Sequence, residues 1–278
     1  MKTSLKDRLL LVIKYVILAA FTLLCLYPIF WLILSSFKTN EELYTNPWGL
    51  PAVFRIANYA QAIVQGHILR YFGNSVIIAL SAVVISVILS SMVSYAITRM
   101  DWKLSKLTLN IFIIGMMIPV YAMIIPLFSM FNKMGLLNSY LSVIIPQIAI
   151  SFPMSIFIMT GFMGSIPREL EEAAVMDGCN IYQIFWRIIT PISKSSIVTV
   201  GVVSFINVWN DLLLPQIFLT DSSKMTLPVG LTEFQGQYST DYVTMIAAVI
   251  ITIIPSVVVY ILLHRNIMEG MVAGAVKG

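Results

Sequence analysis

Six apolar stretches run through this chain, at 15–36, 74–98, 107–130, 141–163, 197–219 and 241–263. Each is long enough to cross a hydrocarbon core, which takes about 20 residues of helix. A segment in lipid finds no water for its peptide groups and must satisfy them internally. At this length and apolarity the requirement selects helices over strands. Composition points the same way: 59% of residues are hydrophobic and 11% charged, where a soluble domain carries about 25% charged residues. The expectation is an all-α membrane protein with six transmembrane helices. It forms a single domain over 1–278, with no space for a separate soluble enzyme domain.

The first 14 residues are basic and lead into the run Tyr15–Ser36. A cleaved signal peptide has an apolar core of roughly 7–15 residues and a small-residue cleavage site. This run is longer and passes Ala19 and Ala20 without a polar break, so it reads as a retained first span. With the N-terminus inside, twelve Lys and Arg fall on inner segments and five on outer ones. The bias predicts both termini in the cytoplasm. It also accounts for the net charge of +4 without nucleic acid. The outer loop 37–72 and the inner loop 164–196 are the two long connections.

Catalytic signatures are missing. No Gly-x-x-x-x-Gly-Lys-Ser/Thr loop is present, so ATP binding of that type is not expected. No His, Cys and Asp residues cluster at metal-ligand spacing. His67 and His264 are expected at opposite membrane faces, and Cys25 and Cys179 read as free thiols. The chain by itself is expected to be no enzyme, with no cofactor and no metal of its own.

The inner loop is the most informative segment. Ser165 and Pro167 are helix-start signals, followed by Glu169, Glu171 and Glu172, where carboxylates suit the positive end of a helix dipole. Gly178 stops that helix, since glycine takes positive φ without steric cost. Asn180 with Gln183 three residues on is a capping-box pattern for a second helix. Ile181, Ile184, Phe185, Ile188 and Ile192 form one apolar stripe on it, and Pro191 is expected to end it. The result is a helix–turn–helix. Small Ala173 and Ala174 on its first helix allow a partner to approach closely.

Glu172-Ala173-Ala174, three residues, Gly178, nine residues, Ile188 and Pro191 resemble the conserved loop of binding-protein-dependent ABC importer permeases. That loop reads Glu-Ala-Ala, three residues, Gly, nine residues, Ile, any residue, Leu, Pro. Thr190 stands here at the Leu position. The resemblance implies the type I importer permease fold, with this loop as a coupling helix–turn–helix that docks in a groove of an ATPase subunit. It places the coupling on Glu172, Ala173, Ala174, Asp177, Gly178, Phe185, Ile188 and Pro191. The partners it implies are a second permease subunit, two ATPase subunits that bind ATP and Mg, an extracytoplasmic solute-binding protein and membrane lipid.

Ser35-Ser36-Phe37-Lys38, Asn58-Tyr59, Asn74-Ser75 and Trp209-Asn210-Asp211 with Pro215 are similar to positions of the carbohydrate branch. The C-terminus from Gly270 to Gly278 resembles the tail of MalG-type permeases of the maltose transporter, which reaches toward the ATPase pair. A sugar, of oligosaccharide type, is the substrate that this resemblance implies.

Asp211 is the one acidic residue deep within an apolar stretch. A charge there costs about 2.5–3.5 kcal/mol on insertion scales, so it should face protein or water. Two readings stand. With Asn207, Trp209, Asn210 and Gln216 it lines a solute path, or it is a structural hydrogen-bond partner between helices. A rival function, an ion-coupled secondary transporter, would use Asp211 as its ion site. A single intramembrane carboxylate and no inverted repeat speak against it. Pro119, Pro126, Pro146 and Pro153 should kink the third and fourth spans, for packing or for a moving gate.

Overall fold

The computed structural model describes residues 5–234 and 241–275. Among these residues there is no strand. In chain order the α-helices are α1 Leu5–Ser35, α2 Asn40–Thr45, α3 Ala57–Val64, α4 Ile68–Arg99, α5 Ser105–Gly115, α6 Ile124–Lys133, α7 Tyr140–Met163, α8 Glu169–Met176, α9 Ile181–Ile184, α10 Thr190–Ile192, α11 Lys194–Trp209, α12 Leu213–Phe218, α13 Leu227–Gly230 and α14 Tyr242–Ala275. A 3-10 turn, Val120–Met123, leads into α6, and a π-helical turn, Phe185–Ile189, joins α9 to α10. Lys2 and the tail residues Val276, Lys277 and Gly278 lie outside the described residues.

Four helices are long and apolar enough to cross a membrane: Arg8–Ser35 of α1, α4, α7, and Tyr242–Arg265 of α14. The apolar stretch 107–130 is not one helix. It breaks after α5 and resumes at Val120 with a bend of 87°. Pro119 causes this: it has no N–H to donate to Gly115, and its ring pushes Ile118 out of helical geometry. The stretch 197–219 also divides. Helix α11 ends at Trp209, and α12 begins at Leu213. Pro215 cannot donate to the Asp211 carbonyl and crowds it. The Asp211 carboxylate instead accepts from the Leu213 amide at 3.1 Å. Helix α11 makes a further bend of 76° with the helical segment Ile181–Ile192. Counting each bent pair as one span brings the total to six. Pro146 and Pro153, by contrast, sit inside an uninterrupted α7.

The chain divides into two compact units. The first comprises 1–68 and 231–253. In it α2 packs Leu43 against Val243 and Ile246 of α14, with Trp31 and Leu32 of α1 alongside. The motif residues after α1 form its polar knot. Asn58 Nδ2 donates to the Ser36 and Lys38 carbonyls at 2.7 and 2.8 Å, and the Tyr59 hydroxyl meets Ser36 Oγ at 2.7 Å. Lys38 is fully buried, its ammonium donating to the Asn46 and Pro47 carbonyls. A buried ammonium is tolerable only when hydrogen-bonded in this way.

The second unit comprises 69–230 and 254–278. Helices α7 and α11 are its packed centre, with α5 lying against α7 and α4 beside them: Ser90 and Ser91 of α4 contact the Met159 sulfur of α7. Asn74 of α4 donates to the Ser223 and Met225 carbonyls and accepts from the Tyr140 hydroxyl. Ser75 Oγ accepts from the Leu227 amide. Asp221 turns the chain here. The Ser223 hydroxyl and amide hold its carboxyl below the usual carboxylate range. The Asn74-Ser75 pair thus ties down the segment entering α13.

Candidate functional site

Two groups of residues carry chemistry, both in the second unit. The first is the segment 164–196. Helix α8 begins at Glu169, after a turn in which the Ser165 amide and hydroxyl both donate to the Phe162 carbonyl. Gly178 follows it with φ +83°, and a Cβ there would meet nothing within 4 Å. The demand for glycine is therefore one of backbone conformation alone. Helix α9 opens with the expected reciprocal bonds: Asn180 Oδ1 accepts from the Gln183 amide, and Gln183 Oε1 from the Asn180 amide, both at 2.9 Å.

Beyond α9 the structure departs from the expected pattern. Pro191 does not end the second helix, which continues to Ile192. The wide π-helical turn before it gives room for the proline ring, which in a regular helix presses on the carbonyl four residues back. The same turn rotates the buried face. Ile184, Phe185 and Ile189 are buried and Ile188 packs beside them, whereas Ile181 and Ile192 are exposed. Thr190, at the family's Leu position, has a buried hydroxyl with no partner among the described residues.

The core under this segment joins Tyr95, Met163, Ile166, Ala174, Ile184, Phe185 and Ile189. The Tyr95 and Phe185 rings lie 5.2 Å apart. Ala174 therefore faces its own chain, because its methyl packs against α9 and the end of α7. The exposed face of α8 carries Glu172, Ala173, Val175 and Met176, and Asp177 follows it. Met176 is 86% exposed.

Arg99, which sequence patterning does not single out, fixes α8. Its Nε meets Glu171 Oε1 at 2.7 Å, and Nη1 and Nη2 donate to the Ile166 and Pro167 carbonyls. Three fixed guanidinium donors match this geometry, as a lysine would not. The pair is buried, with side-chain exposures of 3% and 16%. Arg168 and Asp101, 3.4 Å apart, make a second, solvated contact.

The second group surrounds Asp211. Besides the Leu213 amide, its carboxylate accepts from Gln147 Nε2 of α7 at 2.5 Å. A cavity of about 690 Å³ opens here, lined by Tyr121, Gln147, Asn207, Asn210 and Asp211 among apolar neighbours. A smaller one of about 120 Å³ adjoins it and shares Gln147 and Asn207. Trp209 is elsewhere: it is buried, stacked on Phe205 with Phe72 edge-on. Gln216 is exposed on α12 and does not line the cavity. Helical periodicity separates Trp209 from Asn207 and Asn210, which lie on another face of α11. Gln147 and Tyr121 lie far from Asp211 in sequence and come to it only through the packing of α7 and the bend at Pro119.

A trehalose/maltose transport system permease, MalG of Thermococcus litoralis, is 30% identical over 100% of both chains. An arabinooligosaccharides transport system permease, AraQ of Halalkalibacterium halodurans, is 34% identical over 92% of both. A chain of a bacterial ABC transporter involved in the import of the acidic polysaccharide alginate shares the fold. The TM-score is 0.81 at 24% identity, over 95% of this chain and 99% of that one. The architecture is thus that of an ABC importer permease. Residues 82–267, which hold both the α8–α9 segment and the Asp211 cavity, match a family profile. The chain belongs to the family described as binding-protein-dependent transport system inner membrane component.

Proposed function

We propose that this permease subunit forms half of the translocation pathway of an ATP-driven carbohydrate importer, with an oligosaccharide as its substrate. It works with a second permease subunit, two ATPase subunits and an extracytoplasmic solute-binding protein. The chain holds no cofactor, and ATP and Mg belong to the ATPases. Both termini and the 164–196 segment lie in the cytoplasm, as the Lys and Arg bias requires.

One observation carries the coupling reading. Helix α8 rests on its own chain through Ala174 and the Arg99–Glu171 pair, yet exposes Val175 and Met176 on its other side. Apolar side chains presented from a firmly anchored helix suit a groove on a partner protein. Closing of the ATPase dimer moves this helix, and the Arg99 and Tyr95 contacts pass that motion to α4. The carbohydrate assignment draws on the sugar-system relatives and on amide, carboxylate and phenol groups around the Asp211 cavity.

The test is a crosslink from Met176→Cys in the assembled, membrane-embedded complex. The expected product is an adduct with the ATPase subunit. Adducts with lipid or solvent alone would remove the coupling role. A binding screen on the co-purified receptor with neutral oligosaccharides tests the substrate class.

A further inference from the structure

We propose that the cavity between α7 and the α11–α12 break is a subsite of this chain for one neutral glycosyl unit, and that it disfavours acidic sugars. The inference rests on the carbohydrate reading and adds to it the contacting residues and the charge preference.

The groups that face the cavity are unevenly satisfied. Gln147 is only 4% exposed, and its Nε2 is committed to Asp211. Its Oε1 has no partner among the described residues. That oxygen is not sealed off from the cavity, so water or a ligand hydroxyl can reach it. Asp211 accepts from Gln147 Nε2 and the Leu213 amide, with the Leu214 amide also directed at its carboxylate, which leaves about one of its four lone-pair sites for a ligand. Asn210 gives one amide proton to the Ile206 carbonyl at 2.8 Å and keeps the other. Asn207 and Tyr121 line the same space with exposed side chains.

Sugar hydroxyls both donate and accept, which matches a set of amide donors beside amide and carboxylate acceptors. Tyr121 adds an exposed aromatic ring to the lining, a group that suits the C–H side of a pyranose. The volume of about 690 Å³ exceeds that of a single ring and leaves room for water. Among the described residues no lysine or arginine lines the cavity. A uronate carboxylate would meet the Asp211 carboxylate with no guanidinium or ammonium to pair with it. The adjoining small cavity carries the polar lining onward past Ser151, Ser155 and Ser204.

The test uses the complete importer in proteoliposomes, with Cys25→Ser and Cys179→Ser removing the native thiols. Leu213→Cys reports from the cavity wall, and Ile206→Cys serves as a second reporter should the first not assemble. A cationic thiosulfonate is expected to react about tenfold faster than an anionic one, and Asp211→Asn should abolish that ratio. Glucose, galactose or N-acetylglucosamine should slow labelling, while glucuronate and galacturonate should not. An equal or inverted charge ratio, equal protection by uronates, or no protection by any neutral sugar overturns the subsite. ATPase stimulation by receptor loaded from a neutral-oligosaccharide panel is read on the same complex. Stimulation without protection removes the subsite alone. Absence of stimulation by every sugar removes the carbohydrate reading itself.

Discussion

Arg99, the last residue of α4, grips Glu171 in the first turn of α8 across 2.7 Å while its two terminal nitrogens hold the Ile166 and Pro167 carbonyls. A long apolar helix and the short helix beneath it are thereby one mechanical piece. Breaking such a buried pair from one side leaves a charge and two carbonyls without partners, at a cost of about 3–5 kcal/mol. Arg99→Ala is expected to lower the thermal midpoint of the purified complex and to uncouple ATP hydrolysis from solute-loaded receptor. Arg99→Lys should recover little, since one ammonium cannot reach three acceptors. Receptor-stimulated ATPase rates measured on both variants check this, and full stimulation in Arg99→Ala would refute it.

Gly178 separates conformation from space. Its φ of +83° disfavours any β-carbon, yet nothing stands within 4 Å of where one would be. Gly178→Asn should therefore be tolerated, because asparagine takes the left-handed region with modest strain. Gly178→Val should cost about 1–2 kcal/mol or more and tilt α8 relative to α9. Gly178→Asp should insert normally and lose ATPase on purification, because a new carboxylate beside Asp177 changes the exposed turn. Quantifying ATPase retained by each variant distinguishes the three outcomes.

Thr190 buries a hydroxyl that no described residue satisfies. Thr190→Val keeps the shape and removes the polar atom. It is expected to stabilise the protein by about 1 kcal/mol, seen as a raised midpoint in thermal unfolding of the detergent-solubilised complex. A lowered midpoint would mean that the hydroxyl has a partner in the assembled state.

Asn58 ties two carbonyls of the segment after α1. Asn58→Ala should cost about 2–3 kcal/mol, because both carbonyls and the neighbouring Lys38 lose their fixed setting. The expected readout is faster tryptic cleavage at exposed Arg55, with α4 and α7 unaffected. An unchanged cleavage rate would show that the knot around Lys38 stands without it.

Patterns local in sequence were the legible ones. Helical character follows from runs of apolar residues that must satisfy their own backbone in lipid. The turn at Gly178 and the capping box at Asn180 and Gln183 depend on residues a few positions apart, and their geometry was readable before any packing was known. Ser36, Asn58 and Asn74 were visible only singly, as positions similar to the carbohydrate branch. Only the fold gave them a physical meaning, as hydrogen-bonded ties between distant segments.

The length and continuous apolarity of its six stretches established that most of this chain belongs in helices within a membrane, since barrel strands are shorter and alternate apolar with polar residues. Tertiary structure decided which prolines break a helix and which are carried inside one, which face of the α9–α10 segment is buried, that Trp209 is core, and that Gln147 and Tyr121 join Asp211. The physical reason is range. A helix turn or a cap is settled by neighbours within about four residues, whereas Arg99 and Glu171, or Gln147 and Asp211, meet only because separate helices pack side by side.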